Sequence, residues 1–298
     1  MKVYIKKHES HAGKWIYEGY YSAWKRLGYD VEYYSELQNI DDNDYYLMAL
    51  DGDINKNNLR VISKSKKTFM FAQPNTFPMP WGSHPNFIST ASEKDISEIN
   101  KMDNVHLWTF ADVSKEYFSK WKKVNTIPLA FDSINYEMSI NKNFAYDVCF
   151  IGGWANNGFN EKKKIMIDVF SHFKQSGLRC GFFINKNVSH KSETEILSSS
   201  KVCLNIHDAY QRTLGLDTNE RTFKSLGLNG LLVSDKIKQL DNMFPEVYTS
   251  LCATEIVDKV KEYIQMSTSD ILAEKEKNRI KIITQHCYTN RVEEMITL

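Results

Sequence analysis

The sequence predicts an α/β protein built from two domains of similar size with a cleft between them. The chain begins with a strand, a polar loop, a helix, a glycine and a second strand, which is typical of a βαβ unit. A similar unit starts near residue 147, and the stretch NERTFKSLGLNGLLVSD at 219–235 contains a helix followed by a strand. At 298 residues the chain is also long for one hydrophobic core.

The first domain is predicted over residues 1–140. MKVYIKK predicts a strand, a helix with one apolar stripe follows from about Lys14 to Leu27, and YDVEYY predicts the next strand. The later apolar runs YYLMAL, KTFMFAQP, NFISTAS and VHLWTFAD each lead into polar or turn-forming residues. Ligands of open parallel sheets bind beyond the carboxyl ends of the strands, so residues there are candidates to line the cleft. These candidates are Asp51, Asp53, Asn75, His84 and His106.

The second domain is predicted over residues 145–285. It begins with a strand at Asp147–Ile151, continues through Gly152 and Gly153, and enters a helix at about Asn160. LRCGFFIN and KVCLNIHDA predict further buried strands before the 219–235 unit. The last helical stretch, from about residue 269 to 298, is expected to break near His286.

Composition argues against several classes of protein. A net charge of +1 offers no basic face for a nucleic acid. Five dispersed cysteines without CxxC spacing favour a reducing compartment over a disulfide framework or a zinc site, and no metal-binding motif stands out. The N-terminus lacks the apolar stretch of a signal peptide, and no apolar run is long enough to span a membrane. We expect a cytoplasmic protein, with a peripheral contact to the inner face of the membrane still allowed.

The motif FIGGWANNG lies between a strand and a helix and suits a phosphate. Gly152 and Gly153 allow backbone N–H groups to approach an anion, and the helix N-terminus carries partial positive charge. A tight turn without a ligand is the structural alternative. The third glycine of the dinucleotide fingerprint is missing, and no acidic residue ends the next strand.

Two more patterns in this half bear on a ligand. Asn205 and His207 alternate at the end of a buried strand and therefore face one side of the sheet, unless they are core residues satisfied by the backbone. Arg221 and Lys224 lie three apart near a helix start, where the helix dipole disfavours cations. A bound pyrophosphate would explain them, and a Glu220–Lys224 ion pair is the alternative for the lysine.

His8, Glu9 and His11 occupy the first loop between strand and helix. A histidine there has a pKa suited to take a proton from an acceptor hydroxyl at neutral pH. The alternative is that these residues only cap the N-terminus of the following helix.

Taken together, three stretches resemble the second domain of GT-B glycosyltransferases. They are DVCFIGG, KVCLNIHDA followed by NERTFKSLGLNGLLVSD, and HCYTNRVEEMI, and their order and spacing are most similar to the spore-protein glycosyltransferase-like family of the CgeB type. IPLAFD resembles the segment that closes the first domain there. The resemblance covers roughly residues 145–295 and is only architectural over 1–140. It implies two Rossmann-like domains facing a central cleft, with a C-terminal helix, about residues 286–298, that crosses back to the first domain.

The resemblance also implies a function. A sugar would pass from a nucleotide-sugar donor to an acceptor hydroxyl without a required metal ion or other cofactor. Arg221 and Lys224 would stabilise the departing diphosphate, and His11 or His8 would be the base or position the acceptor. The acceptor, which is a glycan, a lipid-linked glycan, a protein or a small molecule, would meet Asp51, Asn75 and His84 on the first domain. The donor would meet Gly152, Gly153, Asn205, His207, Glu220, Arg221 and Lys224 on the second.

One position departs from the family pattern. Members usually carry Arg-x-Phe-Glu, and the glutamate is expected to bond the ribose hydroxyls of the donor, whereas here Phe223 is followed by Lys224. A lysine has three donors and no acceptor. Either the donor shifts so that Lys224 meets phosphate, or donor binding is weakened. The glutamate pair of many retaining enzymes is absent as well, because Leu216 stands eight residues before Lys224, so the stereochemistry is undecided.

Two rival functions follow from the same residues. A cytosolic sugar- or nucleotide-binding protein, or a decayed transferase, would bind its ligand without catalysis, and Lys224 is the feature that favours it. A nicotinamide-dependent oxidoreductase is disfavoured by the incomplete glycine fingerprint.

Overall fold

The computed structural model describes residues 1–8, 11–40, 43–154 and 161–298, without the side chain of His11. Glu9, the His11 side chain and residues 155–158 of the FIGGWANNG motif therefore lie outside the described part of the chain. The chain divides into two compact units. Unit 1 comprises Met1–Pro128 and Tyr288–Leu298, and unit 2 comprises Leu129–Cys287.

Unit 1 is built on a parallel sheet. Its described strands are β1 (Lys2–Lys6), β2 (Asp30–Tyr34), β3 (Tyr45–Leu50), β4 (Lys67–Phe71), β5 (Val105–Thr109) and β6 (Val124–Thr126). The helices between them are α1 (His11–Arg26), α2 (Leu59–Lys64) and α3 (Glu93–Asn100). The strand order is β2-β1-β3-β4-β5-β6, so β1 lies between the strand that follows it and the strand after that. This reversal creates a switch point beside β1, where ligands of such sheets bind.

The apolar periodicity of the sequence explains most of these elements. β3 is buried along most of its length, as expected for a parallel strand covered on both faces. α1 buries the stripe formed by Ile16, Tyr20, Ala23 and Trp24. The run NFISTAS at 86–92 is not a strand, because its last residue, Ser92, caps α3 by accepting a hydrogen bond from the backbone N–H of Asp95.

Unit 2 contains a second parallel sheet. Its described strands are β7 (Val148–Gly152), β8 (Cys180–Ile184), β9 (Val202–Asn205), β10 (Leu232–Ser234) and β11 (Tyr248–Thr249), in the order β11-β10-β9-β7-β8. Its described helices are α4 (Glu161–Lys174), α5 (His190–Ser199), α6 (Ala209–Leu214), α7 (Glu220–Leu228), α8 (Lys238–Met243), α9 (Ala253–Gln265) and α10 (Thr268–Gln285). Helix α7 packs against α5 and α10, and α4 packs against α9. The switch point of this sheet lies between β7 and β9.

The C-terminal helix returns to unit 1, as predicted. α10 ends at Gln285, and the last helix, α11 (Tyr288–Thr297), follows the expected break at His286. α11 packs on α1, where the rings of Tyr288 and Tyr20 lie 4.8 Å apart, and Nε of Arg291 donates to the carbonyl oxygen of Pro128 at 2.9 Å.

The boundary between the compact units differs from the expected residue 140. Unit 1 ends at Pro128, inside the IPLAFD segment, and the rest of the connector belongs to unit 2. The backbone N–H of Phe131 donates to the carbonyl oxygen of His286 at 2.8 Å, and its ring covers Gly227 of α7. These contacts hold the connector against the helices of unit 2. Both parallel α/β units match the predicted fold class.

Candidate functional site

The candidate site of unit 2 lies at the switch point, where β7 and β9 end. Arg221, the second residue of α7, extends its guanidinium across this point. Its Nε donates to the carbonyl oxygen of Ile151 at 2.6 Å, and its Nη1 donates to that of Ile206 at 3.3 Å. The guanidinium carbon lies 5.0 Å from the centre of the Phe150 ring. Arg221 is therefore held in one orientation by both strands of the switch point.

Buried polar side chains support this arginine. Asn205 is fully buried, and its Oδ1 accepts from Nη1 of Arg221 at 2.9 Å. His207 is fully buried too, with Nδ1 at 2.6 Å from Asp235 Oδ1 and Nε2 at 2.8 Å from Thr218 Oγ1. Neither residue is exposed in this structure, so each supports the site from within rather than lining an open pocket.

Gly152 and Gly153 permit close approaches at the end of β7. A Cβ on residue 152 would collide with Nη2 of Arg221, and a Cβ on residue 153 would collide with Oδ1 of Asn185. Asn185 has a φ of 51°, and its Oδ1 also accepts from the backbone N–H of Trp154 at 3.1 Å. Contacts inside unit 2 thus account for both glycines, and an additional contact with phosphate stays a prediction.

Lys162 is a second cation near this edge of the sheet. It lies in the first turn of α4, is 7% exposed, and places its Nζ 3.0 Å from Oδ1 of Asp208, the residue that precedes α6. Burial lowers the pKa of Lys162, Asp208 opposes that shift, and the positive charge of Arg221 adds to it. Lys162 pairs with Asp208 and Arg221 bonds Ile206, so both cations lie at the segment that follows β9.

The ammonium group of Lys224 is surrounded by carboxylates, whereas a phosphate-binding lysine needs an ammonium group that can contact an anion of the ligand. Its Nζ lies 3.1 Å from both carboxylate oxygens of Glu193 and 3.0 Å from Oε1 of Glu220. Although burial disfavours the charge, Glu220 and Glu193 raise the pKa of Lys224 above its usual value. The predicted ion pair with Glu220 is present, and a carboxylate from α5 joins it.

A polar cavity of about 410 Å³ lies beyond the carboxyl ends of β1, β2 and β3 in unit 1. Lys6, Asp53 and parts of segments 35–38 and 55–58 line it. Nζ of Lys6 lies 2.6 Å from Oδ1 of Asp53, and the hydroxyl of Tyr34 donates to Oδ2 at 2.9 Å. The cavity therefore occupies the switch point of this sheet, where the sequence analysis placed Asp53.

The three predicted acceptor residues bond to different partners. Asp51 is 5% exposed and accepts from the backbone N–H of Gln73 at 3.0 Å, and burial raises its pKa to about 6. Oδ1 of Asn75 accepts from the backbone N–H of Lys120 at 2.9 Å. Within the described residues, the amide nitrogen of Asn75 is buried without a hydrogen-bond partner. Nδ1 of His84 accepts from the backbone N–H of Asn86 at 3.2 Å. Asp51 and Asn75 follow the adjacent strands β3 and β4, whereas His84 belongs to a later loop.

His8 lies just beyond β1 and lines a cavity of about 340 Å³ with Lys7, Lys14, Tyr17, Glu18 and Tyr33. Its ring stacks on Tyr17, with ring centres 5.5 Å apart and an angle of 26° between the planes. His11 begins α1, and its side chain is outside the described residues. The structure thus places the half-buried ring of His8 on the wall of this cavity, and its role as a base stays a prediction.

The structure adds two residues that the sequence analysis did not single out, Lys162 and Glu193. A signal for Lys162 existed, since it shares the buried face of α4 with Met166, Val169 and Phe173. Burial of a lysine ammonium on an apolar stripe costs free energy unless the ammonium pairs with an opposite charge. Glu193 had no comparable signal, because its partner Lys224 is 31 residues away.

Comparisons with known proteins concern the second half of the sequence and the fold. Residues 158–297 match a family model described as glycosyl transferase-like. The T4 phage BGT, solved in complex with its UDP-glucose substrate, superposes with a TM-score of 0.60 at 13% identity, over 100% of both chains. The chain has the GT-B fold. No curated protein matches the sequence significantly.

Two further GT-B structures extend the likeness. AviGT4, a glycosyltransferase involved in avilamycin A biosynthesis, has a TM-score of 0.57 at 12% identity, over 100% of this chain and 96% of that one. An α,α-trehalose 6-phosphate synthase from Burkholderia multivorans has a TM-score of 0.54 at 8% identity, over 88% and 71%. At such identities the likeness concerns the fold alone.

The described residues contain neither a clustered metal site nor a membrane-spanning helix. In the part of the chain that the structure covers, no group of three or more His, Cys, Asp or Glu side chains is arranged to hold a metal ion. Among those same residues, no helix combines the length and apolar character needed to cross a membrane.

Proposed function

We propose that this protein is a glycosyltransferase that moves a sugar from a nucleotide-sugar donor to an acceptor hydroxyl. Arg221 carries the proposal. Its guanidinium is fixed at the switch point by the carbonyl oxygens of Ile151 and Ile206, in a GT-B fold whose comparison structures include one solved with UDP-glucose. Nε and Nη1 donate to oxygens of Ile151, Asn205 and Ile206, so in the described part of the chain the contact with a phosphate oxygen falls to the N–H groups of Nη2.

Lys162 supplies the second positive charge of the proposed donor site. It approaches the switch point from α4, while Arg221 approaches from α7, so the two cations come from different segments of unit 2. Asp208 keeps Lys162 paired at 3.0 Å until an anion arrives. We propose that these two side chains neutralise the diphosphate in a transfer that requires no metal ion.

In the proposed reaction, an acceptor oxygen forms a bond to the anomeric carbon while the bond from that carbon to the diphosphate oxygen breaks. The bonding electrons leave with the nucleoside diphosphate, so negative charge grows on its phosphate oxygens. Arg221 and Lys162 stabilise that charge because they are in place before it develops. The acceptor proton passes to a base, for which His8 and His11 are the candidates.

The acceptor is assigned to unit 1 in this proposal. The switch-point cavity there combines an ion pair, Lys6–Asp53, with amide side chains such as that of Asn57, a lining suited to a ligand rich in hydroxyl groups. Asp51 and Asn75 lie beyond β3 and β4. A glycan, a lipid-linked glycan, a protein and a hydroxylated small molecule all meet this requirement.

The finer kinship and the cellular setting are also proposals. The motif order in residues 145–295 supports a relation to the CgeB-type family. None of the five cysteines forms a disulfide, although Sγ of Cys149 lies only 3.7 Å from Sγ of Cys203. The dispersed set of cysteines without CxxC spacing supports a reducing cytoplasm, with glycan biosynthesis at the inner face of the membrane as one setting.

Ligand binding tests this proposal directly. Thermal unfolding and titration calorimetry should be measured with UDP, GDP, dTDP, CMP and ADP, each with and without magnesium. A ligand at 100 times its dissociation constant adds about 2.7 kcal/mol of stability, which raises the unfolding midpoint by a few degrees. We expect one nucleoside diphosphate to raise the unfolding midpoint more than the other ligands do, without needing magnesium. The sugar conjugate of that nucleotide should release the diphosphate when the acceptor is present.

Arg221→Lys should then weaken binding of that nucleotide at least tenfold and reduce turnover roughly a hundredfold, because lysine keeps the charge but cannot make these three protein contacts and still offer N–H groups to phosphate. Arg179→Lys is the matched control, since Arg179 is an exposed arginine of the same unit that bonds the carbonyl oxygen of Asn143. Unchanged binding by the Arg221 variant would refute the assignment. Tight binding without turnover of any donor would favour the binding-protein alternative.

A further inference from the structure

A chain of hydrogen-bonded side chains connects Arg221 with a buried carboxylate of unit 2. Nη1 of Arg221 lies 2.9 Å from Oδ1 of Asn205, and Nδ2 of Asn205 lies 2.9 Å from Oγ1 of Thr222. The hydroxyl oxygens of Thr222 and Thr218 are 2.6 Å apart, and that of Thr218 lies 2.8 Å from Nε2 of His207. Nδ1 of His207 is 2.6 Å from Oδ1 of the terminal carboxylate. The members below Arg221 are all buried, and they are Asn205, Thr222, Thr218, His207 and Asp235.

Arg221 determines which way the amide of Asn205 points. A guanidinium only donates hydrogen bonds, so the atom of Asn205 that faces Arg221 is its carbonyl oxygen. The amide nitrogen, which also only donates, bonds Oγ1 of Thr222 and Oδ1 of Asn219. It lies 3.3 Å from Nε2 of His207. A proton on Nε2 would place two N–H groups opposite each other, so Nε2 carries no proton and accepts.

The remaining protons follow from that orientation. Because Nε2 of His207 accepts, the hydroxyl of Thr218 donates to it, and Thr218 accepts in turn from the hydroxyl of Thr222. Nδ1 of His207 carries the ring proton and donates it to Asp235. The backbone N–H of His207 donates to the same carboxylate at 3.0 Å. Every group between the guanidinium and the carboxylate thus has one role, and the imidazole is neutral.

This chain fixes the part of Arg221 that remains for a ligand. Nε donates to the carbonyl oxygen of Ile151, Nη1 donates to Asn205, and Nη2 lies beside Gly152, where a Cβ would collide with it. If the amide of Asn205 turned over, its N–H group would face that of Nη1, and this bond would be lost. The hydroxyl of Thr222 holds the amide in its present orientation. The direction in which Nη2 points therefore depends on side chains behind the arginine.

We propose that His207, Thr218 and Thr222 are positioning residues, which act on the nucleotide-sugar through the orientation of Arg221. Asn205 transmits their effect, because its amide touches both the chain and the guanidinium. The inference rests on the proposed function, since a ligand of Arg221 reports on that orientation. A guanidinium that is held in place before charge grows on the diphosphate stabilises that charge without first having to reorient.

The tautomer of His207 is measured first, in the unmodified protein labelled with ¹⁵N-histidine. Long-range ¹H–¹⁵N spectra distinguish a neutral ring protonated on Nδ1 from one protonated on Nε2 and from a charged ring. The signals of His207 are those missing from the His207→Gln protein or, if that variant does not fold, those that move in Thr218→Val. We expect the neutral ring with its proton on Nδ1 at neutral pH. Either of the other two forms overturns the proposal.

Thr222→Val tests the effect on the ligand. Valine keeps the branched shape of threonine, but Asn205 loses an acceptor and Thr218 loses a donor. Titration calorimetry with UDP, GDP, dTDP, CMP and ADP identifies the nucleotide that the unmodified protein binds most tightly. Its dissociation constant should rise roughly fivefold or more in the variant at an unchanged number of sites, and turnover should fall roughly tenfold or more. Thr222→Ser, which keeps the hydroxyl, should restore both.

Thr194→Val is the matched control, because Thr194 is another buried threonine of unit 2, whose hydroxyl donates to the carbonyl oxygen of His190. Its dissociation constant should equal that of the unmodified protein. A purely structural effect of Thr222→Val would lower the number of binding sites per molecule without changing the dissociation constant, and that result overturns the positioning role. Weaker binding by Arg221→Lys with unchanged binding by Thr222→Val overturns this inference alone. Unchanged binding by Arg221→Lys overturns the proposed function as well.

Discussion

Two buried aspartates show how surroundings set the charge of a single side chain. Asp51 is enclosed at the end of β3, and burial raises its pKa to about 6 even though Gln73 and Gly52 donate to it. Burial also acts to raise the pKa of Asp235. There, however, the ring and the backbone N–H of His207 prevail and lower the pKa of Asp235 below its ordinary value. The first carboxylate carries an unfavourable charge at neutral pH, and the second carries a favourable one.

Opposite effects on stability follow from these shifts. The folded-state pKa of Asp51 lies above its unfolded value, so stability should fall by up to about 3 kcal/mol as the pH rises from about 4 to 6. The folded-state pKa of Asp235 lies below its unfolded value, so its contribution is complete above about pH 4 and is lost on further acidification. Stability is measured by urea unfolding as a function of pH. The Asp51→Asn protein should lack the loss of stability between about pH 4 and 6, and the Asp235→Asn protein should lack the loss of stability below about pH 4 that Asp235 causes.

Asp103→Asn serves as the control for both measurements, because Asp103 is exposed and lies outside both networks. Its unfolding profile should follow that of the unmodified protein throughout. An Asp51→Asn profile with the original slope between pH 4 and 6 would show that this carboxyl does not titrate there.

At the scale of elements, the contact between α1 and α11 depends on a glycine. Gly19 lies inside α1, where glycine costs about 0.5–1 kcal/mol relative to alanine. A Cβ at this position would collide with the ring of Tyr288, which is 3% exposed. Close packing of α11 therefore explains why α1 contains glycine at residue 19, although alanine is a better helix former.

Gly19→Ala should consequently destabilise the protein, even though alanine favours helices. Displacement of a packed ring typically costs about 1–3 kcal/mol, which exceeds the gain in helix propensity. Gly52→Ala is the control, because a Cβ there meets no atom within 4 Å. Chemical denaturation of both variants decides the matter, and a Gly19→Ala protein at least as stable as the parent would contradict the packing argument.

At the scale of the whole molecule, the two units differ in how the chain builds them. Unit 2 is continuous from Leu129 to Cys287, whereas unit 1 needs α11 from the C-terminus. In α11, Val292 and Met295 are fully buried, and Nζ of Lys67 donates to the carbonyl oxygen of Ile296 at 2.9 Å. Removal of α11 would expose this apolar surface of unit 1 to water.

We therefore expect residues 129–287 expressed alone to unfold cooperatively and to retain nucleotide binding that depends on Arg221. Residues 1–128 alone should not unfold cooperatively unless residues 288–298 are supplied. Circular dichroism during urea unfolding measures both properties. Cooperative unfolding of 1–128 alone would show that α11 is dispensable for unit 1.

Local sequence patterns were enough to predict much of the fold. Apolar periodicity located β1, α1 and β2, and the polar break near His286 marked the start of α11. The apolar run at 86–92 forms no strand, and its last residue, Ser92, caps α3, because a short apolar segment has no period that distinguishes the two outcomes. The motif Asn-x-Arg-x-Phe at residues 219–223 likewise singles out Arg221, whose Nε donates to the carbonyl oxygen of Ile151.

The candidate site was predictable only in part from the sequence. By itself the sequence determined the two α/β halves, because apolar periodicity is local, and the family resemblance added the return of the last helix, whereas the role of Arg221 stays a prediction. Only the tertiary structure decided that Lys224 binds Glu193, that Lys162 pairs with Asp208, and that His207 is enclosed with Asp235. The two residues of each pair lie on separate helices or loops, so tertiary packing, and not the local sequence, brings them together.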